Sequence, residues 1–275
     1  MKAGADPVYV GISLGPEDPS AAVVRAGKVL AYAEEERFVR SKHAIGVYPL
    51  RSLVYCLEQA ATSVDDVSSV SVSWDLSAYS DGTMARFYEG LSEEWDLDEA
   101  TRAWQQQTLA EYDYATLTAR HRRRWTQEFG LRRLPPIRFA AHHYTHAFQA
   151  ATESPFESAV VLTADGSGED KTTVLWVKRG TDIRPLRTVR IPHSLGWYYA
   201  AFTEYLGFQA YDGEYKVMGL AAHGEPVESL RDAVRQILTP APDGVEYRID
   251  PTLHPLRGAQ LLRKVHRQAG ETAGR

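Results

Sequence analysis

An α/β fold is predicted by three features of the chain: short β-branched runs near the N-terminus, an amphipathic helix after them, and a strand–glycine–strand segment from Ser158 onward. Val8–Leu14 (VYVGISL), Ala21–Arg25 (AAVVR) and Val29–Glu35 (VLAYAEE) are short, apolar and broken by Gly-Pro and Ala-Gly-Lys turns, as successive strands are. Pro49 opens an amphipathic helix over Leu50–Ala61, where proline forfeits no hydrogen bond. Val67–Trp74 (VSSVSVSW) alternates as a strand with one buried face does. Three strands, a helix and a fourth strand in that order make the pattern of a ribonuclease H-like α/β lobe.

Residues 76–134 change character, with Trp95, Trp104 and Trp125, several tyrosines, many charges and no strand signal. They are expected to be a helical insertion whose aromatics serve packing. The β pattern resumes at Ile137 (IRFAA), and SAVVLTADGSGEDKTTVLWV reads as strand, glycine turn, strand. A strand over Leu186–Ile191 follows, then a helix capped by Ser194 and ended by Gly207. Pro226–Leu238 is a further helix, and the tail after Pro240 is at most an ordered arm. The expected division is one domain over 1–225, with the insertion inside it, and a C-terminal helix and tail over 226–275.

The most informative stretch is HHYTHAFQAATESPFESAVVLTADGSGEDKTT, residues 142–173. His142 and His146 are four positions apart and share one face of a helix. Two imidazoles so placed can bind one divalent metal if further ligands come from elsewhere. His143 lies off that face by one position and is read as a hydrogen-bonding or packing residue. In the turn expected at Asp165–Gly168, Gly166 and Gly168 let the backbone turn tightly and aim N–H groups at an anion. Helix and turn together point to chemistry on a phosphorylated or adenylated substrate.

The 275 residues are 44% hydrophobic, enough for a substantial core. A net charge of −5 gives no pull toward nucleic acid, and the basic run Arg120–Arg124 is read as a solvated helix face. Cys56, the only cysteine, can form no internal disulfide, which fits a reducing cytoplasm. No signal peptide and no membrane-spanning run is read from the sequence.

The segments AYAEEERFVRSKHAIGVYP, HHYTHAFQAATESPFESAVVLTADGSGE and IPHSLGWYYAAFTEYLGFQAYDGEYKVMGLAAHG resemble the O-carbamoyltransferases of natural-product and nodulation-factor biosynthesis, from about Val8 to Glu225. The resemblance implies an actin-like ATPase fold, here the first lobe and part of the second. It also implies transfer of a carbamoyl group from carbamoyl-adenylate, made from carbamoyl phosphate and ATP, to a hydroxyl of a small metabolite. By the same resemblance His142 and His146 match the ligands of an iron-type metal, Fe(II) being expected. Asp165, Gly166 and Gly168 match a phosphate turn, and Glu214 and Lys216 stand where relatives place a Glu and a Lys near the nucleotide ribose. Arg37, Lys42 and His43 belong to a block expected to face the active cleft, or to be a charged strand end.

Two departures qualify this. Where relatives read His-Asp-Xaa-Ser-Ala in the first hairpin, this chain reads Glu17-Asp18-Pro19-Ser20-Ala21. A histidine suited to act as general base is replaced by Glu17, a weaker base at its ordinary pKa of about 4.3. Asp18 stands beside it in the candidate catalytic hairpin. The family's third metal ligand (an Asp), its glycine-rich nucleotide loop and its adenylate-forming domain are also expected beyond this sequence, so a second subunit supplying them is a candidate partner. The alternatives are a truncated or degenerate copy, a non-catalytic binding or assembly subunit that has lost the base, and an ATPase or kinase-like phosphotransferase, which GEYKVMGLA does not fit.

Overall fold

The computed structural model describes residues 6–250, apart from 16, 95–96, 98, 131–132 and 243–245. Trp95 and the tail from 251 onward, both interpreted above, lie outside the described residues. Internal contacts divide the chain into two compact units, Met1–Thr145 and His146–Arg275.

In the first unit, β1 (Val8–Ser13), β2 (Ser20–Arg25) and β3 (Lys28–Glu34) form an antiparallel meander. A short α1 (Glu36–Val39) and a 3-10 turn over Lys42–Ala44 lead to α2 (Leu50–Gln59) and β4 (Val67–Val72). Four helices follow: α3 (Ser77–Ser80), α4 (Thr83–Glu94), α5 (Glu99–Glu111) and α6 (Tyr114–Phe129). Strand β5 (Ile137–Phe139) completes a five-stranded sheet in the order β3-β2-β1-β4-β5. β4 runs parallel to β1, and β5 parallel to β4. That order, with those directions, is the ribonuclease H-like lobe expected from the pattern, and it is the lobe of an actin-like fold.

Alternation decides which face of this sheet is core. Val8, Val10, Ile12, Val23 and Val70 are buried against Leu53, Cys56 and Leu57 of α2 and Trp125 of α6. The helical insertion is therefore integral to the core. The opposite face carries small residues in register, with Gly11 between Ala22 and Ser71, and Ser13 opposite Ser20.

In the second unit, β6 (Ser158–Gly168), β7 (Lys171–Arg179) and β8 (Asp182–Arg190) form an antiparallel sheet in that order. Strand β8 starts earlier than the expected Leu186 and holds Pro185, which an edge strand tolerates because it lacks only an outward donor. Helix α7 (His142–Glu153), whose first turn falls on the other side of the unit boundary, packs on the sheet through Ala147 and Ala151 against Val161, Val174 and Trp176. Next come α8 (Leu195–Tyr205), α9 (Glu214–Ala221), α10 (Glu228–Ile237) and a small hairpin of β9 (Leu238–Pro240) and β10 (Tyr247–Ile249). Ser194 caps α8 and Gly207, at φ 89°, follows its end, as expected. Among the described residues no helix is long and apolar enough to cross a membrane.

Candidate functional site

Four residues of helix advance the chain by about one turn, so α7 carries the His142 and His146 side chains one above the other. Ala147 and Ala151, both buried, let α7 approach β6 closely. His146 Nε2 then lies 3.5 Å from Asp165 Oδ2. His146 and Asp165 so bring ligand atoms together within the second unit, on the helix and the strand it packs against, and His142 precedes His146 by one turn of the same helix. His143, one position off this face, is fully buried, as expected.

The structure corrects the expected turn. Strand β6 runs through Asp165–Gly168 to its end, with a register irregularity between Ala164 and Gly168, and the reversal comes at Glu169–Asp170 with Glu169 at φ 55°. The Gly166 N–H, expected to point at an anion, donates instead to Asp165 Oδ1 at 2.7 Å. That bond holds one carboxylate oxygen while the other faces His146. The bulge turns Asp165 toward α7, as bulges next to functional sites do. A carboxylate facing one of the two imidazoles is thus present within the chain.

Two residues that sequence reasoning left without a role here support Asp165. The Ser194 hydroxyl donates to Gly166 O at 2.6 Å and accepts from Trp197 N at 3.0 Å. A Cβ on Gly196 would come within 2.5 Å of Gly166 N, so only glycine lets α8 sit on this backbone. The Ser-Leu-Gly run at 194–196 is the available signal, and by itself it indicates only a helix cap.

A second cluster forms at the first hairpin. Glu17, Asp18 and His43 offer ligand atoms within 4.8 Å of one another. His43 Nδ1 is 3.0 Å from Asp18 Oδ1, and the Asp18 N–H donates to His43 O at 3.0 Å. The His43 N–H donates to Glu36 Oε2 at 2.9 Å. That bond, more than the nearby Lys42 and Arg37, holds the Glu36 carboxyl below the ordinary glutamate range. Arg37 pairs with Glu34 and Glu36, and Lys42 lies 3.8 Å from Glu36, with both side chains largely exposed. Of Arg37, Lys42 and His43, His43 is the one whose bonds to the hairpin are described, and from the same block the Glu35 N–H donates to Pro19 O at 2.8 Å. Glu35, in the same block, is buried and accepts from Arg51 N and Ser52 N at the start of α2.

Glu214 opens α9, and its Oε1 accepts from Tyr211 N at 2.8 Å. Lys216 is exposed, its Nζ 5.5 Å from the Tyr215 ring centroid. Neither shares a hydrogen bond or ion pair with the His146–Asp165 pair among those described.

The family model described as carbamoyltransferase N-terminus matches residues 9–273. Nodulation protein NolNO of Sinorhizobium fredii is 34% identical over 252 residues, covering 90% of this chain and 34% of that protein. The Synechocystis protein sll1178 is 36% identical over 219 residues, covering 79% of this chain and 35% of that one. The chain thus spans about a third of the length of these relatives. Among solved structures YeaZ of Pseudomonas aeruginosa is similar at 10% identity and a TM-score of 0.31 over 68% of each chain, so the fold assignment rests on strand order and direction instead. With nearly the whole chain matched and the histidine helix and ribonuclease H-like lobe in place, this chain belongs to the carbamoyltransferase N-terminus family.

Proposed function

We propose that the chain is the N-terminal portion of an O-carbamoyltransferase. It acts on carbamoyl-adenylate, made from carbamoyl phosphate and ATP, and passes the carbamoyl group to a hydroxyl of a small natural-product metabolite. The observation that carries this reading is His146 set against Asp165, with His142 one turn earlier on the same helix, in a chain of this family. Two imidazoles and one carboxylate suit Fe(II), and the Gly166 N–H already orders the carboxylate, so the residues fit such a metal. When bound, a divalent ion supplies positive charge for an adenylate phosphate and for the leaving AMP. Ser194 and Gly196 keep Asp165 aimed by holding the Gly166 backbone. In this reading the exposed Lys216 of α9 donates to nucleotide oxygens, and Glu214, which accepts from Tyr211 N, orders the loop before it. The nucleotide loop and the adenylate-forming chemistry come from a complementing portion or subunit, since the relatives are more than twice as long.

The test supplies that portion in trans with carbamoyl phosphate, ATP and a hydroxylated acceptor. Carbamoyl product is expected only from the combination. Asp165→Asn is expected to lower turnover on the order of a hundredfold. His142→Ala and His146→Ala are expected to bind Fe(II) at least about tenfold more weakly than the wild type. Equal metal content in all four proteins, or no carbamoyl transfer with metal and nucleotide bound, would overturn the reading.

A further inference from the structure

His43 and Asp18 are 25 residues apart, yet both sit in the left-handed backbone region, at φ 61° and 52°, and face each other. Few side chains adopt that conformation without cost, and such strain persists where surrounding bonds impose it. Here three bonds do so: His43 Nδ1 to Asp18 Oδ1, Asp18 N–H to His43 O, and His43 N–H to Glu36 Oε2. An ionised carboxylate only accepts, so the Nδ1 contact places the ring proton on Nδ1 and leaves Nε2 unprotonated and basic in the neutral imidazole. The His43 side chain is only 16% exposed, whereas Asp18 is 53% exposed.

Two residues along the hairpin from Asp18, Ser20 lines a cavity of about 250 Å³ on the first unit's sheet, together with Ser13, Ser71, Ser73, Ile12 and Val72, among others. Its walls set serine hydroxyls beside alkyl side chains, which suits a polyol with an apolar face. Tyr32 also lines the cavity, and its phenol pKa is raised chiefly by partial burial, against a lowering hydrogen bond from Ser20, with the Glu34 and Asp18 carboxylates raising it further.

The geometry points to His43 as the general base of carbamoyl transfer, positioned by Asp18, with the acceptor polyol resting in the serine-lined cavity. This rests on the carbamoyltransferase reading. It moves the base from the first hairpin, where Glu17 stands, to the turn after β3. In the step, the acceptor oxygen forms a bond to the carbamoyl carbon and its proton passes to His43 Nε2. The bond from that carbon to the adenylate phosphate oxygen breaks, and its electron pair leaves with AMP. Asp18 and Glu17 flank the ring and stabilise the imidazolium that forms.

The chain with its complementing portion in trans tests this. His43→Gly suits φ 61°, so the fold is kept. It is expected to lower kcat on the order of a hundredfold or more with the acceptor KM little changed, and added imidazole is expected to restore part of the rate. Asp18→Asn tolerates the same backbone but no longer selects the tautomer. It is expected to lower kcat and to shift the His43 ring toward Nε2–H by nitrogen NMR, a change a merely structural role does not produce. Glu17→Gln is expected to cost less than about tenfold, well short of a general base. Transfer that survives His43→Gly, or a Glu17→Gln loss as large as that of His43→Gly without imidazole rescue, overturns the assignment of the base alone. Absence of transfer by the wild type overturns the carbamoyltransferase reading and this step with it.

Discussion

Trp125 can only donate, so its Nε1–H, 2.7 Å from the Tyr48 hydroxyl, makes that oxygen the acceptor, and Tyr48 in turn donates to His121 Nδ1 at 2.6 Å. All three side chains are buried, and burial lowers the His121 pKa from 6.5 to about 4. His121 is therefore neutral in the fold at neutral pH, while in the unfolded chain it takes a proton below about 6.5. The unfolded state binds more protons between those values, so stability is full above about 6.5 and falls as pH drops toward 4. About 2 kcal/mol is expected to be lost between pH 7 and pH 5 from this group. Urea unfolding at both pH values checks it, and His121→Phe is expected to flatten the difference. An unchanged slope in that variant would refute the assignment. The run Arg120–Arg124 was read as a solvated face, and Arg122–Arg124 are exposed; a buried histidine within it is not visible from charge pattern, because burial depends on which helix face meets the sheet.

At the scale of elements, the start of α2 shows how the chain satisfies a helix end at a distance. Its first turn has no cap of its own, and Glu35, from the end of β3, accepts from Arg51 N at 3.2 Å and Ser52 N at 2.8 Å instead. A carboxylate is favoured there by the orphan amides and the helix dipole. Glu35→Gln replaces an acceptor with a donor facing those amides and is expected to cost about 2 kcal/mol. Amide hydrogen exchange at Arg51 and Ser52 is expected to speed up on the order of tenfold or more, and unchanged protection there would remove Glu35 from this role. The strands β1 to β4 and helix α2 follow the sequence closely because alternation, proline and glycine act over a few residues. The β6 bulge does not, because an Asp-Gly pair that favours a turn in isolation is held extended by Ser194, Gly196 and the facing strand β7.

For the molecule as a whole, the second unit leaves large apolar side chains uncovered. Val160 and Leu162 on β6 and Tyr215, Met218 and Leu220 on α9 are each at least half exposed. Apolar surface of this kind marks an interface. The chain alone is expected to self-associate at micromolar concentration, and the complementing portion is expected to convert it to a defined complex, both read by light scattering. A monodisperse monomer that ignores the complementing portion would count against a shared enzyme.

Local periodicity by itself determined the succession of strands and helix along the first lobe and the helix at 142–153. It also placed two imidazoles on one helix face, because those signals repeat every two or four residues. Only the tertiary structure decided that Asp165 faces His146 and that His43 meets Asp18. Both depend on where a bulge aims a side chain and on contacts between segments about 20 to 25 residues apart, which backbone hydrogen bonds set and spacing along the chain does not encode.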